Sequence, residues 1–328
     1  MSNIRNMVTN NRVRLVFWII WIALLLLFSQ QNYYALIIAL FGVYSIVATA
    51  LDILFGYTGQ ISLGHAGLFA IGAYSTTLLT MKVHIPGGLS LVLGALITTL
   101  IGALVAIPAS KLIKHFLSLL MIAFGQIVYL IANSWNDVTG GSLGILNIPE
   151  LTILGFHFDS YIKSAILIWV IVGITLVIKS NIIHSRVGYA FIAIRENTVA
   201  ARGLGINVRR YKVLAFALSA FFTGLAGGLY AFLRGFISPE TFNATQSVLF
   251  MTMLLFGGMT SIEGPVIGAV ILLLFKEVLQ VFSNWQGLIY ALFMLLVLYF
   301  FPEGVIGITK RTTDFVRCLL HRKKRFGK

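Results

Sequence analysis

Charge is what this 328-residue sequence has least of. Asp, Glu, Lys and Arg make up only 10% of it, where a soluble domain carries roughly 25%. That shortage excludes a soluble globular protein. Acids are scarcer still, at 10 against 24 basic residues, and no two of them sit within one apolar run. An ion-coupled pump often carries such acids in its spans. There is one cysteine, Cys318, so no internal disulfide can form. The six histidines show no metal-ligand spacing. No GxxxxGK[ST] phosphate loop is present, so this chain holds no ATP site of that kind. Neither a metal nor a cofactor is expected on it.

What is there is hydrophobic. Apolar side chains are 59% of the residues, and apolar runs of about 20 residues recur along the length, as a ~30 Å hydrocarbon core requires. Lipid offers backbone groups no hydrogen bonds, so such runs should be helices. The runs are continuous rather than alternating, which argues against a membrane β-barrel. The reading is an all-α polytopic membrane protein, one transmembrane domain over residues 1–328. Candidate spans are 14–30, 33–54, 62–80, 89–108, 116–133, 161–178, 212–233, 245–260, 265–282 and 286–301. That gives ten spans with both termini cytoplasmic. Segment 62–80 is rich in glycine and small polar residues and 245–260 is short, so either can be a broken or re-entrant helix, and an eight-span arrangement stays open. Leu15–Phe28 follows a basic start, but Ser29-Gln30-Gln31-Asn32 offers no small-x-small cleavage site, so this stretch is read as a retained first span.

A net charge of +14 invites a nucleic-acid partner, and its distribution argues against one. Twenty of the 24 basic residues fall before the first span, at Lys111 and Lys114, from Lys179 to Lys212, and in the tail 302–328. One topology puts all four segments on the same side, which is the positive-inside pattern. The opposite loops carry Asp137, Glu150, Asp159 and Glu240.

Four segments interrupt the apolar pattern. Gly56-Tyr57-Thr58-Gly59-Gln60-Ile61-Ser62-Leu63-Gly64-His65-Ala66-Gly67 groups small residues with Gln60, Ser62 and His65. Small residues permit close helix approach, and a helix break frees backbone groups to face a ligand. Two readings are open: a pathway or gate element, or tight packing at a helix end with His65 satisfied by a backbone carbonyl. Thr139-Gly140-Gly141-Ser142-Leu143-Gly144 matches the letters of a serine-hydrolase elbow. That elbow needs a preceding strand and a triad, and a membrane span precedes this one. An outer loop that receives or gates solute fits better, with Thr139 and Gly141 as its candidates. Gly257-Gly258 through Glu263-Gly264-Pro265 is a polar break, and Gly224/Gly228 and Gly264/Gly268 have the GxxxG spacing of close crossings.

The most informative segment runs from Arg195 to Lys212. It is polar and charged, inside the loop 179–212. Gly203 and Gly205 split it into two short helices, and Asn207 is placed to cap the second. An ordinary basic loop lying on anionic lipid is the simpler reading. Against it stand Ala200, Ala201 and Leu204, which suit a helix seated in a partner's groove.

Taken in order, these motifs resemble the permease subunits of bacterial branched-chain amino-acid ABC transporters, over residues of about 50 to 305. The residues that carry the resemblance are Gly56–Gln60 with Ser62–Ala66, Thr139–Gly144, Arg195-Glu196-Asn197 through Ala200-Ala201 to Leu204–Asn207, Gly257-Gly258, Gly264–Gly268 and Pro302-Glu303-Gly304. The resemblance implies an ABC importer permease in the bacterial plasma membrane. It implies a second permease subunit, two cytosolic ATP-binding subunits that use the ATP, and an extracytoplasmic solute-binding protein. It makes Arg195, Glu196, Ala200, Ala201, Gly203, Gly205 and Ile206 the ATPase-coupling residues, and Gln60, Ser62, Gly64, His65, Thr139 and Gly141 the translocation candidates. Asp52 is a departure, standing where the family more often has a neutral polar residue. Permeases for urea, amides or nucleosides are an alternative, and a stand-alone channel or secondary transporter a more distant one.

Overall fold

The computed structural model describes residues 32–279 apart from 113 and 154, with four further positions between 288 and 295. The expected span 14–30, nearly all of 286–301, the tail 302–328 and Cys318 lie outside the described residues.

Helix α1 spans Asn32–Leu51 and runs on as a π-helical turn, Asp52–Gly56. It is followed by α2 (His65–Met81), α3 (Gly87–Ala109) and α4 (Lys114–Ser134). Pro86, with its fixed φ and no N–H to lose, sits immediately before α3. A loop then carries a helical turn at Asn136–Thr139 and a two-stranded hairpin, β1 (Thr152–Ile153) with β2 (Phe156–His157). Next come α5 (Tyr161–Ile183), α6 (Arg186–Glu196), α7 (Thr198–Gly203) and α8 (Val208–Arg234). The described chain closes with α9 (Ala244–Gly257) and α10 (Gly264–Val278).

Among the described residues, five helices are long and apolar enough to cross a membrane: Asn32–Gly56, Gly87–Ala109, Phe116–Ser134, Tyr161–Ile183 and Val208–Arg234. The two segments with weak span signals behave differently from each other. Segment 62–80 yields α2, His65–Met81, an unbroken 17-residue helix, about 26 Å at 1.5 Å per residue. Its low hydropathy reflects small residues used for contact. Residues 245–260 yield only the 14-residue α9, about 21 Å at 1.5 Å per residue, shorter than a ~30 Å hydrocarbon core. It turns back on itself through 258–263 into α10.

α1, α2 and α8 form the centre, with Ala39, Val43, Ile46, Leu68, Ala73, Ala220 and Ala226 fully buried. Glycine makes the crossings. A Cβ on Gly72 would lie 2.2 Å from the Gly224 carbonyl oxygen, and one on Gly224 would lie 2.5 Å from the Thr98 side chain. The Gly264/Gly268 spacing serves the α9–α10 hairpin in the same way: a Cβ on Gly268 would come within 2.0 Å of the Met253 carbonyl oxygen. Around this centre α3, α4 and α5 turn outward rows of apolar side chains at helical spacing. Leu89, Val92, Leu96, Leu100 and Leu104 on α3 are exposed, as are Ile166, Val170, Ile174 and Val177 on α5. Exposed apolar stripes of that length suit lipid or another membrane subunit.

Both ends of the bundle are tied. At one end, Ile145 and Ile237 exchange backbone hydrogen bonds of 2.9 and 3.0 Å, and Lys82 Nζ donates to the Asp137 carbonyl at 2.7 Å. At the other, the 52–62 segment, the 183–208 segment and the 258–263 turn meet.

Candidate functional site

The segment expected to couple to a partner is two short helices set on the end of the bundle. The Ser185 hydroxyl accepts from Val187 N and starts α6. Asn197 ends it: its Oδ1 accepts from Val199 N at 2.9 Å and Ala200 N at 3.1 Å and so caps α7. The break between the two helices is therefore at Asn197. Gly205, at φ +78°, then turns the chain, and Asn207 caps the long helix α8 by accepting from Arg210 N.

The two faces of this segment differ. Inward, Ile194, Ala201 and Val208 form a small buried cluster flanked by Ala193, Ile206 and Tyr211. Tyr211 meets Phe191 edge to face, with ring centroids 6.3 Å apart. Arg195 also turns inward: its Nη1 donates to the Gly56 carbonyl at 2.6 Å, and its stem packs where Gly59 has no side chain. Outward, Glu196, Ala200, Gly203 and Gly205 are exposed, together with Val199 at 74% and Leu204 at 78%. The sequence reading took Ala200 and Ala201 as one patch, and the fold exposes Ala200 while it buries Ala201.

The Gln60–His65 group sits just inside this end. Gln60 Nε2 donates to Thr58 Oγ1 at 2.8 Å and to the Lys212 carbonyl at 3.3 Å. His65 is fully buried, between Ser62 Oγ at 2.9 Å from Nδ1 and Ser219 Oγ at 2.8 Å from Nε2. Ser219 donates its one proton to the Ala50 carbonyl at 2.7 Å. It must then accept from Nε2–H, which leaves Nδ1 to accept from Ser62. With a neutral ring His65 is thus a fully bonded link between α2, α8 and α1, and its partners are two serine hydroxyls rather than the backbone carbonyl of the packing reading. Ser219 is 154 positions away, and no spacing in the sequence signals it. Gly64 permits α4 to approach: a Cβ there would lie 2.3 Å from the Met121 carbonyl oxygen.

Thr139 and Gly141 belong to the other end. The Thr139 hydroxyl lies 2.7 Å from the carbonyl oxygens of both Ala132 and Trp135. Gly141, at φ +58°, leaves room for the Asn136 amide. Ala132 stands 11 residues along α4 from Met121, about 16 Å of helix rise. The translocation candidates therefore form two groups, one at each end of the bundle. The Gly140–Gly144 letters of a hydrolase elbow follow a helical turn, with no strand before them.

One group escaped the sequence. Lys179 was counted with the basic residues of the 179–212 loop, yet α5 continues to Ile183 and Lys179 is fully buried. Its Nζ lies 2.7 Å from Asp52 Oδ2, with both side chains at 0% exposure. The same Nζ donates to the Ser261 carbonyl at 3.0 Å, and Asp52 Oδ1 accepts from Thr260 N at 2.9 Å. Asp52 is the only fully buried acid among the described residues. The remaining signal in the sequence was the isolated acid itself, because burial is affordable when a charge is paired.

The described residues hold no cluster of histidine, cysteine and carboxylates able to bind a metal. The arrangement is one of packed helices, bonded polar links and an exposed, partly apolar outer face at residues 199–205.

Comparison with known proteins agrees with that arrangement. The family model described as branched-chain amino acid transport system / permease component matches residues 33–301. The high-affinity branched-chain amino acid transport system permease protein LivM of Escherichia coli K12 is 29% identical over 291 residues, covering 82% of this chain and 68% of that protein. The probable LivM of Methanocaldococcus jannaschii is 23% identical over 323 residues, covering 83% and 92%. LivH of Escherichia coli K12 is 25% identical over 305 residues, covering 86% and 96%. No solved structure matches the chain. With the family model spanning the whole described bundle, this multi-pass chain belongs to the permease components of branched-chain amino acid transport systems, which carry solutes and are not enzymes.

Proposed function

We propose that this permease moves branched-chain or similarly hydrophobic amino acids across a bacterial plasma membrane, as half of a permease pair driven by two ATP-binding subunits. An extracytoplasmic binding protein delivers the solute. The observation that carries the reading is the two-faced α6–α7 segment. Its inner face is fixed to the bundle by Ile194, Ala201, Val208 and Arg195, while Val199 and Leu204 project outward. A segment anchored on one side and apolar on the other suits a rigid lever seated in a partner's groove. ATP binding closes the ATPase pair, α7 follows its groove, and the bundle rocks between states open to either side. Orientation with the α6–α7 end in the cytosol follows from the positive-inside distribution.

The chain itself performs no covalent chemistry. A zwitterion with an apolar side chain calls for a weakly polar route without a fixed net charge. The buried acid of the bundle is neutralised by Lys179, which keeps the interior compatible with such a route. The second permease finds a suitable face on α4, where Phe116, Leu119, Ile127 and Leu130 are exposed and Gln126 is exposed among them in mid-helix. A polar amide is costly against lipid and affordable against a subunit or an aqueous path.

Ala200→Arg tests the docking. The side chain at 200 points away from the bundle, so membrane insertion and folding should be unchanged while ATPase co-purification and ATP-driven uptake are lost. Normal co-purification of the ATP-binding subunits with this variant contradicts the reading.

A further inference from the structure

The buried pair Asp52–Lys179 stands where four parts of the chain meet, and each part is bonded to it or to its neighbour. Asp52 opens the π-helical turn that ends α1. Lys179 lies four residues before the end of α5. Asp52 Oδ1 accepts from Thr260 N, and Lys179 Nζ donates to the Ser261 carbonyl, so both charges grip the α9–α10 turn. Tyr57 Oη donates to the Thr260 carbonyl at 2.8 Å, and the Lys179 ammonium lies 6.0 Å from the centre of the Tyr57 ring. At the far end of the same π-helical turn, the Gly56 carbonyl accepts from Arg195 of α6. A continuous chain of directional bonds, most of them part-buried and centred on the fully buried Asp52–Lys179 pair, thus runs from the coupling segment, through residues 52–56, to the turn between α9 and α10.

Three features set this apart from ordinary packing. A buried ion pair is weak evidence for stability, because apolar residues of similar volume generally do as well, and its best-attested use is to fix one arrangement over others. The π-helical turn is a local irregularity of the kind found at functional sites. It is also sterically committed: a Cβ on Gly56 would lie 1.9 Å from Asp52 Oδ1. Thr260 holds φ +59°, a conformation unusual for a threonine, and its N–H points at Asp52 while it does so. Strained backbone, an irregular helix and a buried ion pair coincide at one place, and that place lies between Arg195 and the α9–α10 hairpin.

We propose that Asp52 and Lys179 are positioning residues for transport, forming an ionic joint that passes displacement of the α6–α7 segment to the α9–α10 hairpin. The joint rests on the reading of α7 as the ATPase docking site and adds the route by which docking reaches the spans. Neither residue touches the docking face, so neither is needed for ATPase binding or hydrolysis. Their loss should separate hydrolysis from movement of solute.

The experiment uses the complete complex in proteoliposomes, with both permeases, both ATP-binding subunits and the binding protein. ATP hydrolysis and uptake of radiolabelled leucine are measured on the same vesicles. The apolar double variant Asp52→Leu/Lys179→Met leaves no buried unpaired charge, so it should assemble and hydrolyse ATP within about twofold of the unaltered complex, while leucine taken up per ATP falls at least tenfold. Lys179→Arg keeps the ion pair and should retain at least half of the original ratio. An assembled double variant with an unaltered uptake-to-hydrolysis ratio overturns the joint. Asp52→Asn keeps an acceptor for Thr260 N and provides the second reading if the double variant does not assemble: uncoupling supports the joint, and failure of both variants to assemble overturns it, because the pair would then serve folding alone. Absence of ATP-dependent uptake in the unaltered complex is a failure of the importer reading instead, and is seen before any variant is made.

Discussion

Leu204→Ala, at the C-terminal cap of α7, gives the proposed docking face a number. Leu204 is 78% exposed, so its side chain contributes little to the bundle and has most of its apolar surface left to lose to a partner. Leucine exceeds alanine by three carbons, worth about 0.8 kcal/mol each when fully buried, or about 2.4 kcal/mol. Scaled to the exposed fraction, the loss is about 1.9 kcal/mol, and at 1.4 kcal/mol per tenfold this is roughly a twentyfold weaker association. The assay is equilibrium binding of purified ATP-binding subunit to the permease pair in nanodiscs, with thermal unfolding of the pair followed in parallel. Affinity should drop roughly twentyfold, and stability should stay within about 0.5 kcal/mol, as for ordinary surface changes. A change in affinity below about threefold refutes the placement of Leu204 in the interface.

Further expectations follow from the geometry. Asn197→Ala removes the cap accepted from Val199 N and Ala200 N; about 1 kcal/mol of α7 stability goes with it, and faster amide hydrogen exchange confined to residues 198–203 is the check. Lys179→Met alone leaves Asp52 buried without its cation and should cost about 3–5 kcal/mol, read as a fall in the denaturant midpoint that Asp52→Leu restores in the double variant. Ser219→Ala strips His65 Nε2–H of its acceptor; an unsatisfied buried donor costs about 1–3 kcal/mol, again read in unfolding, and an unaffected midpoint contradicts the assigned hydrogen-bond chain.

How far the sequence foretold this structure depends on the range of the interaction. Long apolar runs needed only local composition, and 33–54, 89–108, 116–133 and 212–233 correspond to helices with ends shifted by a few residues. Segment 62–80 was ambiguous because α2 uses Gly67 and Gly72 to touch α4 and α8, and close contact and low hydropathy come from the same small residues. The Arg195–Lys212 segment was legible as an amphipathic interruption. The cap at Asn207 was legible and the structure bears it out, whereas the second cap at Asn197 was missed, because nothing local showed that a helix ends there and another begins. The pairing of Lys179 with Asp52 spans 127 positions, and His65 with Ser219 spans 154. No periodicity of 3.6 residues carries information over such distances. Burial of a charge inverts the usual reading of a basic residue near a span end, which is why Lys179 was taken for part of the loop. The hairpin Thr152–Ile153 with Phe156–His157 was missed for a local reason, since two-residue strands show no alternation to detect.

The central claim is that the outward face of α7 is held by an ATP-binding subunit. The most direct test places a photoreactive benzoylphenylalanine at position 199, which is 74% exposed in the chain alone, and irradiates the assembled complex. The account predicts a crosslink from position 199 to the ATP-binding subunit, and none to it from position 100 on the outer row of α3. Recovery of position 199 crosslinked only to lipid or to its own chain, with the ATP-binding subunits present and bound, would contradict it.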